Sequence, residues 1–152
     1  IVRGLASRHF DAEGISAKPL PILENGVLRN YYIDTYYGRK LGLAPTTGGP
    51  SNRIVKLGTK SLDKLLKDLG QGILVTSWLG GNADGNSGDF SLGVRGHRIE
   101  NGLQGAPVGE MNVTGNLLTL FASLQAVGND PWKYSALKSP TLVFGDVSFS
   151  GA

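Results

Sequence analysis

Two Glu-Asn-Gly triplets, Glu24-Asn25-Gly26 and Glu100-Asn101-Gly102, fix two corners of this chain. Asn-Gly between apolar runs selects a type I′ turn, because both central residues need positive φ, and that turn matches the twist of a two-stranded hairpin. The triplets lie 76 positions apart, but their flanks do not otherwise align. They read as two independent hairpins rather than a duplicated unit. Glycine, 23 of 152 residues, punctuates the remaining short segments. The pattern predicts an α+β chain, mainly antiparallel sheet and barrel-like, with two or three short helices and seven to nine short strands.

The pattern places the elements in order. Pro19-Leu20-Pro21 lacks two backbone donors and leads into an edge strand at Ile22-Leu23. Val27 to Ile33 is its hairpin partner. Asp34 caps a short helix to Leu41 that halts near Gly42, and Ala44 to Asn52 is a loop by composition. Ser61 caps a second helix, with Leu62, Leu65, Leu66 and Leu69 on one face and Gly70 at its end. Gly72 to Leu79 reads as a buried strand and Gly80 to Gly88 as a polar loop. Asp89 to Arg95 alternates, with Phe90, Leu92 and Val94 facing one way. Pro107 to Val113 returns as a strand. Thr114 or Asn116 then caps a helix running to about Val127, and the last strand covers Thr141 to Phe149. The second Leu-rich connection leaves room for one crossover.

The length fits one domain, 1–152. The chain opens Ile-Val-Arg with no Met, as a fragment would, and an N-terminal strand there would have lost an upstream partner. No apolar run approaches the ~20 residues that span a bilayer. With no Cys there are no disulfides and no thiolate ligands. The net charge of +3 is uneven: residues 1–70 carry eleven Lys and Arg against six Asp and Glu, the remainder four against six. Tyr31, Tyr32, Tyr36 and Tyr37 sit near Arg29, Arg39 and Lys40. That spacing reads as packed aromatics with solvated charges rather than a nucleic-acid groove.

Catalytic constellations are scarce. His9 and His97 stand 88 positions apart, and neither has a second His nearby for a zinc site. Asn82 to Ser87 imitates a calcium loop, but Ser87 occupies the position that needs Gly and Gly93 the position that needs Glu. No Ser lies in a G-x-S-x-G elbow, and Ser87, Ser91 and His97 are explained by alternation and loop composition. Asp89 and Glu100 could face each other across a hairpin as paired carboxylates, but a solvated rim is the default reading. No catalytic residue and no metal ligand is assigned.

Four segments, in order, carry a family likeness: FDAEGISAKPLPILENGVLRNYYIDTYYGRKLGL, GDFSLGVRGHRIENG, PVGEMNVTGNLLTLFASLQAVGND and SPTLVFGDVSFSGA. Together they resemble the C-terminal domain of the TldD/PmbA family, in its PmbA-like (TldE-like) branch. The resemblance implies cytosolic proteins linked to peptide maturation and described as modulators of DNA gyrase. It implies a TldD-like subunit that holds zinc through an H-E-x-x-x-H helix and a Cys, paired with a PmbA-like subunit that lacks them. On that reading this chain is a non-catalytic domain of a metallopeptidase assembly. It works as a homo- or heterodimer with a TldD-like subunit, on a peptide substrate, with zinc in the partner only and no membrane or nucleic acid. Two alternatives stand beside it: a zinc peptidase with ligands upstream of Ile1, and a regulator that binds gyrase. Gly48, Gly49, Pro50 and Ser51, and Asn82, Asp84, Asn86 and Asp89, are the candidate peptide-binding residues, because a glycine-rich backbone can approach an extended peptide closely. His97 departs from the family's aromatic or apolar residue.

Overall fold

The computed structural model describes residues 4–151. The N-terminal strand expected at the start of the chain falls on residues 1–3, which lie outside the described residues. The elements in chain order are β1 (Leu23–Glu24), β2 (Val27–Leu28), α1 (Thr35–Leu41), β3 (Arg53–Ile54), α2 (Leu62–Leu69), β4 (Gly72–Ala83), β5 (Asp89–Glu100), β6 (Leu103–Asn116), α3 (Leu117–Ala122), β7 (Leu124–Val127), β8 (Leu137–Lys138), β9 (Leu142–Phe144) and β10 (Ser148–Gly151). They fall into two compact units: residues 1–55 with 132–138, and residues 56–131 with 139–152.

In the first unit, β1 and β2 form the expected hairpin, and Asn25 (φ 52°) and Gly26 (φ 77°) both adopt the positive φ of the turn. The strand expected over Val27 to Ile33 stops at Leu28. Beyond it, Ile33 N donates to Thr46 Oγ1, Thr46 N donates to Ile33 O, and the Thr46 hydroxyl donates to Tyr31 O, so a side chain takes over part of a strand's work. Asp34 caps α1 through a bond from Tyr37 N at 2.7 Å, and Gly42 closes it in the left-handed conformation. β3 pairs in parallel with β8.

The second unit is built on an antiparallel sheet ordered β10-β6-β5-β4. Phe90, Val94 and Val113 are its buried centre, joined by Val75, Leu92, Met111, Leu120, Val147 and Phe149. The sheet is open, with β10 and β4 at its two edges, so the barrel-like closure expected from the turn-rich pattern does not form. The strands β4, β5 and β6 are long, at 12, 12 and 14 residues. Gly80 to Ala83, expected as loop, continue β4 because they pair with Gly93 to Phe90. Past Val75 that strand is exposed rather than buried.

Ser61 caps α2, and the turn Asn101-Gly102 docks on it: Gly102 N donates to Gly70 O at 2.8 Å. Lys60 and Lys64 both pair with Asp68 at 2.7 Å. Asn116 caps α3 by accepting from Leu118 N. The helix expected to reach Val127 ends at Ala122, where Ser123 N bonds back to Thr119 O and Leu120 O. Leu124–Val127 instead pairs with Leu142–Phe144 as a second small sheet. The single final strand is likewise two, β9 and β10, separated at Asp146 (φ 51°).

Candidate functional site

The sheet's second face carries small and polar residues. Asn82 stands opposite Ser91, Ser91 opposite Thr114, Gly93 opposite Asn112, and Thr114 and Asn112 opposite Ser148 and Ser150. Register shifts interrupt β4 at Val75/Ser77 and Trp78/Gly80, and β5–β6 at Val94/Gly96 and His97/Ile99. Bulges bend a strand and re-aim its side chains. Here they open two adjoining depressions of about 560 and 450 Å³. Leu79 and Glu110 line both. Asn82, Ser91, Gly93 and Asn112 line the first, Ser77, Arg95, His97 and Pro107 the second.

Glycine is required on this floor by close approach. A Cβ on Gly81 would strike Ser91 O, and one on Gly96 would strike Leu74 O. The result is a shallow trough along β4 and β5, bordered by the free outer edge of β4. Arg95 and Glu110 both face it, and neither enters an ion pair among the described residues. Chemically, the open strand edge offers backbone hydrogen bonds, and the trough offers one cation and one anion.

The sequence-predicted residues are placed as follows. Asn82 lines the trough. Asp84 and Asn86 belong to the β4–β5 turn, and Asp89 is the first residue of β5. Asp84 Oδ1 accepts from Asn86 N at 2.7 Å, and Asp84 N donates to Asp89 O at 2.8 Å. Asp89 Oδ1 accepts from Asn116 Nδ2 at 2.8 Å. The Asn116 amide, with the Ser87 hydroxyl, holds the Asp89 carboxyl below its ordinary pKa. In the first unit, Gly48 N donates to Asp11 Oδ2 at 3.3 Å and Gly49 O accepts from Arg8 Nη2 at 2.6 Å, while Pro50 and Ser51 lead to β3.

Asp89 and Glu100 do not form a carboxylate pair. They stand at opposite ends of β5, roughly 35 Å apart at strand rise. The hairpin that would have joined them turns at Asn101-Gly102, after Glu100 and far from Asp89. His97 Nδ1 lies 3.3 Å from Gly105 O, between Leu74 and Pro107 on the neighbouring strands. No described group of three His, Cys, Asp or Glu side chains is placed to hold a metal ion.

The sequence reading missed Leu79, because Gly72 to Leu79 read as a buried strand, and Arg95 and Glu110, because each sits in a segment read only as a strand of the sheet. The dipeptide Gly80-Gly81 directly after Trp78-Leu79 was the available signal of a bulged strand beside a close backbone contact. It also missed Asp11, the hub of the first unit, which is only 7% exposed. Asp11 accepts from Glu13 N, Ile15 N, the Thr47 hydroxyl and Gly48 N. Desolvation raises its pKa, but the bonds from Ile15, Glu13, Gly48 and Thr47 outweigh it and leave the carboxyl below its ordinary value.

Residues 1–151 match the family model of the PmbA/TldA metallopeptidase C-terminal domain. The chain belongs to the PmbA/TldD metallopeptidase family. It is 35% identical over 154 residues to the metalloprotease PmbA homolog of Haemophilus influenzae, covering 99% of this chain and 34% of that protein. It is 27% identical over 135 residues to the zinc metalloprotease TldD homolog of Saccharolobus solfataricus, covering 80% of this chain and 30% of that protein. Among solved structures it resembles a modulator of DNA gyrase from Bacteroides thetaiotaomicron, with 48% identity and a TM-score of 0.91 over 99% of this chain and 35% of that one. The chain thus spans about a third of the length of the curated relatives it matches. Zinc is named for the Saccharolobus relative; this sequence has no Cys, and its two His lie on different units. No described helix is long and apolar enough to cross a membrane.

Proposed function

We propose that this chain is a peptide-holding, non-catalytic domain of an intracellular PmbA/TldD-type metallopeptidase assembly, with zinc supplied by a TldD-like partner subunit. The observation that carries the reading is the trough on the second unit, with the unpaired edge of β4 beside a glycine-floored surface. An extended peptide adds to that edge through its main chain, so sequence selectivity is low. Arg95 attracts acidic and Glu110 basic side chains of the peptide. Asn82 hydrogen-bonds the peptide backbone at one end of the trough, next to the turn of Asp84 and Asn86 and to Asp89. Separately, Gly48, Gly49, Pro50 and Ser51 offer a low-relief loop on the first unit, held in place by Asp11 and Arg8.

Metal analysis and peptide hydrolysis test the division of labour. The complete polypeptide containing this chain, prepared alone, is expected to carry no stoichiometric zinc and to leave peptides intact, and to support hydrolysis when mixed with a TldD-like subunit. One zinc per polypeptide in the protein prepared alone, with hydrolysis, would overturn the assignment.

A further inference from the structure

The two Asn-Gly dipeptides carry a chemistry of their own. In such a pair the Gly amide nitrogen can attack the carbonyl carbon of the Asn side chain, because Gly has no Cβ to hinder the approach. Glu-Asn-Gly is repeated at both corners, followed by Val27 in one and Leu103 in the other, so local sequence gives the two sites nearly equal reactivity. Both Asn residues are exposed, and both have a φ of 52°. What separates them is the backbone around each nucleophile.

Gly102 is buried, and its N–H donates to Gly70 O at 2.8 Å. An amide held in that bond resists the deprotonation that attack requires. Ring closure also needs an Asn ψ that a closed type I′ turn does not supply, so the reaction draws on the open form of each hairpin. Opening at Asn101 must undock Gly102 from α2 and disturb Ile99, which is buried beside the turn, at the end of strands of 12 and 14 residues.

The other corner is different. Gly26 is exposed, lies outside the β1–β2 ladder and donates to no described group. Its hairpin has two residues in each strand, and Leu23, Val27 and Leu28 are all exposed. The hairpin is closed further by Arg29 N on Ile22 O, by Asn30 Nδ2 on Pro21 O and by the solvated Arg29–Glu24 pair. A short two-stranded hairpin with little buried surface opens locally at small cost.

We propose that Asn25 is a spontaneous deamidation site, and that Asn101, with the same flanking residues, is protected by its dock on α2. The Gly26 nitrogen loses its proton to solvent base and bonds to Asn25 Cγ. The Cγ–Nδ2 bond breaks, ammonia leaves and a cyclic imide remains. Water opens the ring at either carbonyl, which leaves aspartate or isoaspartate at position 25, and nothing is oxidised or reduced. The new carboxylate stands beside Glu24. The isoaspartyl form also adds a methylene to the backbone, which upsets the Leu23–Leu28 register. This modification is independent of the peptide-holding reading.

Peptide mapping by mass spectrometry tests it, on the complete polypeptide incubated folded in mildly alkaline buffer. The peptide containing Asn25 is expected to gain the mass difference between amide and acid at least about tenfold faster than the one containing Asn101, the undocking of Gly102 setting the gap. Isoaspartate is the expected major product. In guanidinium chloride the two rates are expected to converge. Equal rates in the folded protein, faster conversion at Asn101, an Asn25 that stays an amide while the denatured chain converts, or a preference for Asn25 that persists unchanged in guanidinium would each overturn the proposal.

Discussion

Asp11 holds Gly48 across 37 positions of sequence: the carboxylate accepts the Gly48 amide at 3.3 Å and the Thr47 hydroxyl at 3.1 Å, while its other oxygen takes the amides of Glu13 and Ile15. One side chain therefore fixes both the turn that follows it and the loop at 47–49. Asp11→Ala leaves three amides without an acceptor. The expected outcome is faster amide exchange at Glu13, Ile15 and Gly48 and a melting temperature lower by several degrees, with the exchange at β5 unchanged. Hydrogen exchange read by mass spectrometry checks it.

The two Asn-Gly turns look alike in sequence and differ in packing. A Cβ on Gly102 would meet Lys67 Cα at 2.7 Å, and one on Gly26 would meet nothing within 4 Å. Both residues have positive φ. Gly26→Ala is expected to cost about 1 kcal/mol of backbone strain, and Gly102→Ala about 3 kcal/mol, because the hairpin must also move off α2. Urea denaturation of the two variants measures the difference.

That contrast shows what was legible in the sequence. The caps at Asp34, Ser61 and Asn116 and the turns at Asn25 and Asn101 are local chemistry, and the structure places them where composition does. The end of α3 is not local. Leu117, Leu120, Phe121, Leu124 and Val127 keep helical spacing, yet Leu124–Val127 is drawn into a strand by Leu142–Phe144, and no periodicity encodes that partner. The trough is illegible for the same reason. Leu79, Arg95 and Glu110 meet only because bulges on three strands lie side by side.

Val94 is the fully buried centre of the second unit. Val94→Ala removes two methyl groups from a packed site where neighbouring strands restrict collapse. A loss of about 2–3 kcal/mol with an unchanged urea m-value is expected.

Three carboxyls titrate below their ordinary range in the folded chain. For Asp11 the hydrogen bonds overcome desolvation, for Asp68 the Lys60 and Lys64 contacts dominate, and for Asp89 the Asn116 amide does. A lowered folded pKa means the unfolded chain binds more protons in the acid range, so stability rises with pH there. The contribution is complete above about pH 5 and is lost as pH falls through about 4 and below. Melting temperature against pH should be flat from 5 to 7 on this account and drop steeply below 4, with a shallower drop in Asp68→Asn.

Peptide engagement at β4 is the central claim, and amide exchange on the complete protein tests it most directly. With a saturating unstructured peptide, the account predicts slowed exchange in the outer-edge amides of Thr76 to Ala83, with little change in β10 at the opposite edge, and weaker protection in Arg95→Ala when the peptide is acidic. Protection absent from β4 while the peptide is demonstrably bound would contradict it.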